Sequence, residues 1–192
     1  MAWEPDYVEV DELADDVGIS DADQIDDDTD RLARAIAAAS DAINVACRRQ
    51  FGLVDAVEPR RYRAVKSGLY GGWFVYIDDL MTLDGLLVDG AAPATPPDVW
   101  PLRSAPLARP WERMAVPSGG VHTITALWGW TAVPKTVKAA TLLQANRFFK
   151  RTDAPFGVAG SPESGSEMRL LAKVDPDVDV MLRRYKRTAA PR

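Results

Sequence analysis

One cysteine and one histidine in 192 residues exclude much of the chemistry that side chains perform. Cys47 has no second thiol to pair with, so no internal disulfide forms. Together with His122 it falls short of the cysteine and histidine sets that hold zinc, and of a Cys-His dyad backed by helper cysteines. No run of about 18 apolar residues exists from which to build a membrane span. The first ten residues carry acids and Pro5 where a secretory signal needs bases followed by an apolar stretch, so neither export by that route nor membrane insertion is expected. Phosphate loops of the Gly-x-x-x-x-Gly-Lys-Ser/Thr type are also missing, and Val158-Ala159-Gly160-Ser161-Pro162 does not make a Gly-x-Ser-x-Gly elbow. Neither a cofactor nor a metal is expected, and no enzyme activity.

Base is lacking too, but only locally. Residues 1–30 hold 13 acids and no lysine or arginine, while residues 31–192 hold 15 acids against 23 bases, so a net charge of −5 joins an acidic end to a basic body. The acidic segment, residues 1–27, reads either as a solvated tail or as one side of an electrostatic contact that steers assembly more than it strengthens it.

What is present is helical at both ends. Val10, Leu13, Ala14 and Val17 form an i, i+3, i+4, i+7 stripe ending at Gly18, which predicts a short helix over 9–17. An acidic linker, 20–28, then leads into a second helix over 28–50, whose apolar positions Leu32, Ile36, Ala39, Ile43 and Cys47 repeat at helical spacing, with Arg48 and Arg49 in its last turn and Gly52 beyond. Cys47 on that stripe reads as a small buried residue rather than a reactive thiol. The alanines at 33, 35, 37, 38 and 39 leave a surface of little bulk that another helix can approach closely. Val133-Pro134 opens a third helix over 134–151. Its core arc holds Val137, Leu142, Ala145, Phe148 and Phe149; Gln144, Arg147 and Arg151 lie opposite, and Leu143 among them is a candidate contact. A strand-like run over 168–174 and a last short helix over 177–186 complete the chain.

Between 58 and 130 the pattern changes to short alternating runs at 61–65, 73–77, 82–88 and 121–128, an antiparallel β region inserted between the second and third helices. Gly68-Leu69-Tyr70-Gly71-Gly72 reads as a hairpin turn, and the six prolines within 91–110 predict an irregular loop. Five of six tryptophans fall within 73–130, where core packing is the first reading and an intersubunit contact the second. His122 is expected to face solvent or an interface. Asp78 and Asp79 are neighbours in a strand and so cannot easily share one ligand. Arg183, Arg184, Lys186 and Arg187 fit a solvated helix end, contacts to DNA phosphates, or docking on an acidic partner. The fold expected is α+β in a single domain of 1–192, a small helical bundle carrying this β insertion.

Helix two, from Asp30-Arg31-Leu32-Ala33 through Cys47-Arg48-Arg49-Gln50-Phe51-Gly52, resembles the alanine-rich helix of head-to-tail adaptor proteins from phages of actinobacteria. Trp128-Gly129-Trp130, Val133-Pro134, Val137-Lys138, Phe149-Lys150-Arg151, Ala154-Pro155-Phe156-Gly157-Val158-Ala159-Gly160, Asp175-Pro176-Asp177-Val178 and Arg184-Tyr185 are similar to the second half of that family, in the same order. The polar stretch 161–167 and the long acidic amino end depart from its pattern.

The resemblance implies a structural virion protein at the phage neck: a ring, expected to be a dodecamer of this chain, between the portal and a stopper or tail-side connector. Genomic DNA passes through its lumen without sequence-specific binding, and assembly takes place in the host cytoplasm without a membrane. A head-completion or stopper protein is the neighbouring alternative, and a basic DNA-binding accessory protein a more distant one. In such adaptors the carboxyl-terminal region embraces the portal, which here assigns docking to 174–192 and to Val174, Val178, Met181, Leu182, Arg183, Arg184, Tyr185, Lys186 and Arg187. Lateral contacts through helices two and three are assigned to Ala35, Ala38, Ala39, Leu143, Arg147 and Phe156, with an acidic lumen that does not hold DNA by its phosphates.

Overall fold

The computed structural model describes residues 6–19, 22–68, 71–101, 109–152, 158–159, 168–169 and 175–187. It is α+β, with α1 (Val10–Val17), α2 (Ala22–Cys47), α3 (Lys135–Thr152) and α4 (Pro176–Leu182), the last running on into a 3-10 turn at Arg183–Tyr185. Six strands lie between α2 and α3: β1 (Glu58–Lys66), β2 (Trp73–Leu80), β3 (Leu87–Val88), β4 (Val99–Trp100), β5 (Trp111–Val116) and β6 (Val121–Ala126). A separate pair, β7 (Val158–Ala159) and β8 (Met168–Arg169), follows α3. The helices gather in one compact unit drawn from both ends of the chain, Met1–Arg49 and Val133–Arg187, and the six-stranded sheet belongs to a second, Gln50–Ala132. Among the described residues no helix is long and apolar enough to cross a membrane.

The helical unit follows the periodicity closely. Helix α1 ends where Gly18 takes a φ of +84°, a conformation that glycine adopts without a Cβ penalty. Leu13 and Ala14 of α1 pack with Leu32, Ile36 and Ala39 of α2 and with Ala145 and Phe149 of α3, all buried. Helix α4 packs on α3 and α2. The bounds of α2 need correction at both ends. The expected linker, 20–28, is in large part the helix's first turns: Ile25 packs on the helical core, and acids near a helix amino end complement its dipole. At the other end the helix stops at Cys47 rather than running to residue 50, because Arg48 turns left-handed (φ +56°) and the Arg49 N–H reaches back to the Asn44 carbonyl at 3.2 Å.

All pairings in the sheet are antiparallel, in the order β3-β6-β1-β2-β5-β4. Strands β1 and β2 form the expected hairpin, with Lys66 opposite Trp73. Two expectations fail here. The strand over 82–88 shrinks to Leu87–Val88, because Thr82 and Asp84 bond each other side chain to side chain (2.8 Å) and Gly85 turns the chain at φ +70°. The run 91–110 is not loop throughout: Val99–Trp100 pairs with β5, and β5 itself went unrecognised because prolines precede it and Glu112 and Arg113 interrupt its apolar alternation. Inside the unit, Val75, Ile77, Leu80, Met114, Ile124, Ala126 and Trp128 form one buried cluster. Trp128 and Trp130 are buried while Trp73, Trp100 and Trp111 are partly so, which bears out core packing for the first two. Trp128 donates from Nε1 to the Glu58 carbonyl (2.8 Å), and Trp130 lies 5.1 Å from Phe51, centroid to centroid.

Candidate interaction surfaces

Helix α4 is held by the residue that caps its amino end. Asp175 accepts from the Asp177 N–H with one carboxylate oxygen (2.9 Å) and from Arg147 of α3 with the other (2.5 Å), while its own N–H donates to Gln144 Oε1 (3.1 Å). Pro176 stands in the first turn, where a missing N–H costs nothing. These bonds correct the placement of Gln144, which is buried rather than outward, and explain why Arg147, read as an interface residue, is partly covered against Asp175.

The docking set divides on burial. Val178 and Leu182 are fully buried and Tyr185 nearly so, so these three side chains serve the subunit's own packing and are corrected out of an exposed docking surface. Arg184 lies over the Tyr185 ring at 4.7 Å, Lys186 pairs with Asp179 at 2.5 Å, and the Arg187 N–H donates to the Cys47 carbonyl at 2.9 Å. Met181 is half-buried and Arg183 is exposed. Val174 lies outside the described residues. Val180 was missed, although it stands 62% exposed; within Val178-Asp179-Val180-Met181-Leu182 the sequence does not tell which apolar residue faces out.

The lateral set divides similarly. Ala35 and Ala39 face inward and are buried, which corrects their assignment to a subunit contact, while Ala38 is exposed. Leu143 is 42% exposed on α3, as expected of a contact residue. Phe156, with most of the 154–160 motif, lies outside the described residues. Val45 on α2, not singled out from sequence, is 71% exposed. Cys47 is buried, and that burial pushes its thiol up to about 11, so it stays protonated and inert.

In the sheet unit several polar side chains are held in pairs. Asp78 accepts from Arg60 (2.9 Å) and from the Tyr62 hydroxyl (2.8 Å), and the guanidinium of Arg60 also reaches Glu58 and lies 5.1 Å from the Trp128 ring centroid. Burial, and next to it the Asp78 carboxylate, hold the Tyr62 hydroxyl protonated well above its ordinary range. Asp79 accepts instead from Trp130 Nε1 at 2.7 Å, so the two adjacent aspartates take different partners as their strand position requires. His122 is a correction: it is buried, not turned to solvent, with Nδ1 2.7 Å from Asp89 Oδ2 and Nε2 3.0 Å from the Ser118 carbonyl. Both ring nitrogens face acceptors, which favours the doubly protonated ring. The hydrogen bond to Asp89 raises the imidazole's pKa against the opposing effect of burial, and the Ser118 carbonyl adds to the rise. Among the described residues no group of three or more histidine, cysteine or carboxylate side chains is placed to hold a metal ion. The chain matches no family model and no curated protein.

Proposed function

We propose that this chain is a structural subunit of a phage neck, an adaptor that forms a ring between the portal and the tail-side connector and gives tail components a platform. The observation that carries the reading is the outer surface of the helical unit. Helices α2, α3 and α4 each leave one large aliphatic side chain in solvent, Val45, Leu143 and Val180. The alanine-rich α2 presents Ala37 and Ala38 on its exposed side, where a neighbouring helix can come close. They leave places where a neighbouring subunit can pack, and they accompany the resemblance carried by α2, by Trp128-Gly129-Trp130 and by Asp175-Pro176-Asp177-Val178. The docking surface narrows to the exposed side of α4, with Val180 and Arg183 at its centre.

Imaging a mixture of the purified chain with purified portal tests the proposal. A ring of added density on the portal's tail-facing side is expected, with Val180→Asp and Arg183→Glu together weakening its formation. Absence of the ring on bare portal, with binding only to a portal already loaded with another connector, would instead make the chain a stopper. Chains that are weakly associated alone gain avidity on a shared platform, so the ring is expected to form at portal concentrations where the free chain is still dispersed.

A further inference from the structure

Strand β1 sorts its arginines onto two faces. Arg60, on the same parity as Tyr62, is neutralised by Glu58 and Asp78. Arg61 and Arg63 lie on the other parity and are exposed, and among the described residues neither has an ion pair. Their cross-strand partners on β6 are Thr123 and Val121, the latter 47% exposed. Val65, next on that face, stands opposite Phe74 of β2 and is 41% exposed. Phe74 meets Tyr76 edge-on at 5.3 Å and has the exposed Arg113 of β5 6.0 Å from its ring centroid. Of the acids on or beside these strands, Asp78 is engaged with Arg60 and Tyr62, and Asp89 with His122 and the Thr123 N–H. The result is a surface of three arginines around two aromatic rings, the composition favoured at the centre of protein interfaces.

Charge of the opposite sign is concentrated in residues 1–30, which carry α1 and the start of α2. Helix α1 exposes Asp11 and Asp15 one turn apart, a like-charge spacing that weakens a helix, and Asp15 and Asp16 stand at its carboxyl end, where the dipole disfavours acids. Helix α2 exposes Asp26 and Asp27 in addition. Asp11, in the first turn, suits the dipole and Asp16 accepts from Asn146 Nδ2, but the stability of α1 does not account for Asp15.

We propose that the arginine and aromatic face of the sheet, centred on Arg61, Arg63 and Phe74, receives the acidic surface of α1 from a second copy of the chain. The contact is heterologous: two different surfaces meet, so each copy offers one and accepts one, and repetition gives a ring where the rotation closes and a filament where it does not. It extends the ring reading and rests on it only for closure. A nucleic acid would also be drawn to arginines beside aromatic rings, but the 13 acids and no base of residues 1–30 repel a polyanion and complement this face.

Sedimentation velocity of the full chain over a range of concentrations tests the contact. Concentration-dependent association is expected at low salt. It weakens roughly tenfold or more between about 0.05 M and about 0.5 M salt, across which the screening length shrinks roughly threefold. R61E/R63E and D11K/D15K each stay monomeric, and an equimolar mixture of the two associates again, because each supplies the surface the other has lost. That rescue cannot come from a misfolded variant. A wild-type chain that stays monomeric throughout, variants that associate like wild type, or a mixture that is not rescued each overturns the proposal. So does a single-stranded oligonucleotide that binds wild type and not R61E/R63E, which would give the face to nucleic acid. On the portal, wild-type and R61E/R63E rings forming equally well would sink this contact and leave the ring reading standing. Salt-sensitive, swap-rescued association without any ring on the portal would do the reverse.

Discussion

Trp130 and Asp79 form the most exacting pair of single residues, since the indole N–H meets a carboxylate oxygen at 2.7 Å with both side chains buried. Trp130→Phe removes the donor and leaves the acceptor in place, so urea denaturation is expected to show a loss of about 1–3 kcal/mol. Beside it, Gly129 has a φ of +114°, and a Cβ there would stand 1.9 Å from the Gly52 carbonyl oxygen. That atom is backbone and cannot swing aside, so Gly129→Ala is expected to lower stability by roughly 2 kcal/mol or more, read as a fall in Tm. His122 makes the sheet unit pH-sensitive in a definite direction. Its pKa in the folded chain lies above the ordinary 6.5, so its contribution is complete below 6.5 and is lost as pH rises through the raised value. Asp89, lowered from 3.8 first by the Thr123 N–H and then by the His122 ring, adds stability above 3.8 that is lost as pH falls through its folded value. Urea midpoints are therefore expected to decline on the alkaline side of 6.5, and His122→Asn to flatten that decline.

Among the elements, α4 has the most to do with the proposed docking, and its amino end is fixed by side chains rather than by length. Seven residues cannot hold a helix in isolation. Asp175 caps it and ties it to Arg147 of α3, so Asp175→Ala is expected to cost about 1–2 kcal/mol and to speed amide exchange in α4 ahead of α2. Leu182 is fully buried, and Leu182→Ala is expected to cost about 2–5 kcal/mol by cavity formation. If α4 meets the portal as a formed helix, Asp175→Ala also weakens portal binding while Val180, Arg183 and their exposed neighbours remain unchanged in sequence. Equal portal affinity for wild type and Asp175→Ala would remove α4 from the contact.

For the whole molecule, the division of charge is the property that extends beyond any one element. An amino end of 13 acids and no base, and a sheet face of exposed arginines, make end-to-face association favourable and salt-dependent, which isolated surface ion pairs, each worth little, would not do. In the adaptor reading, burying Arg61 and Arg63 between copies also removes from the surface two cations that have no ion pair among the described residues and that a passing polyanion could meet. Ring formation on the portal is accordingly expected to slow as salt rises, because electrostatic complementarity acts mainly on encounter.

The chain's own order of residues determined the elements whose cause is local. Gly18 ends α1, the 3.6-residue stripe Leu32, Ile36, Ala39, Ile43 and Cys47 makes α2 amphipathic, and the glycines at 68, 71 and 72 turn β1 into β2, so the α+β class and the place of the β insertion were legible without coordinates. What only the tertiary structure decided depends on partners distant along the chain. Period and alternation define two faces of a helix or strand without saying which one is covered. Ala35 and Ala38 are alike locally, but α1 and α3 cover only the first; Gln144 looks outward until the Asp175 N–H arrives 31 residues later; His122 looks outward until Asp89 and Ser118 enclose its ring. Acids at the start of α2 look like a linker because the burial of Ile25 that favours helix there comes from other elements. The proposed surfaces share this origin, since Arg61 and Arg63 become a basic face only when pairing brings Phe74 and Arg113 beside them.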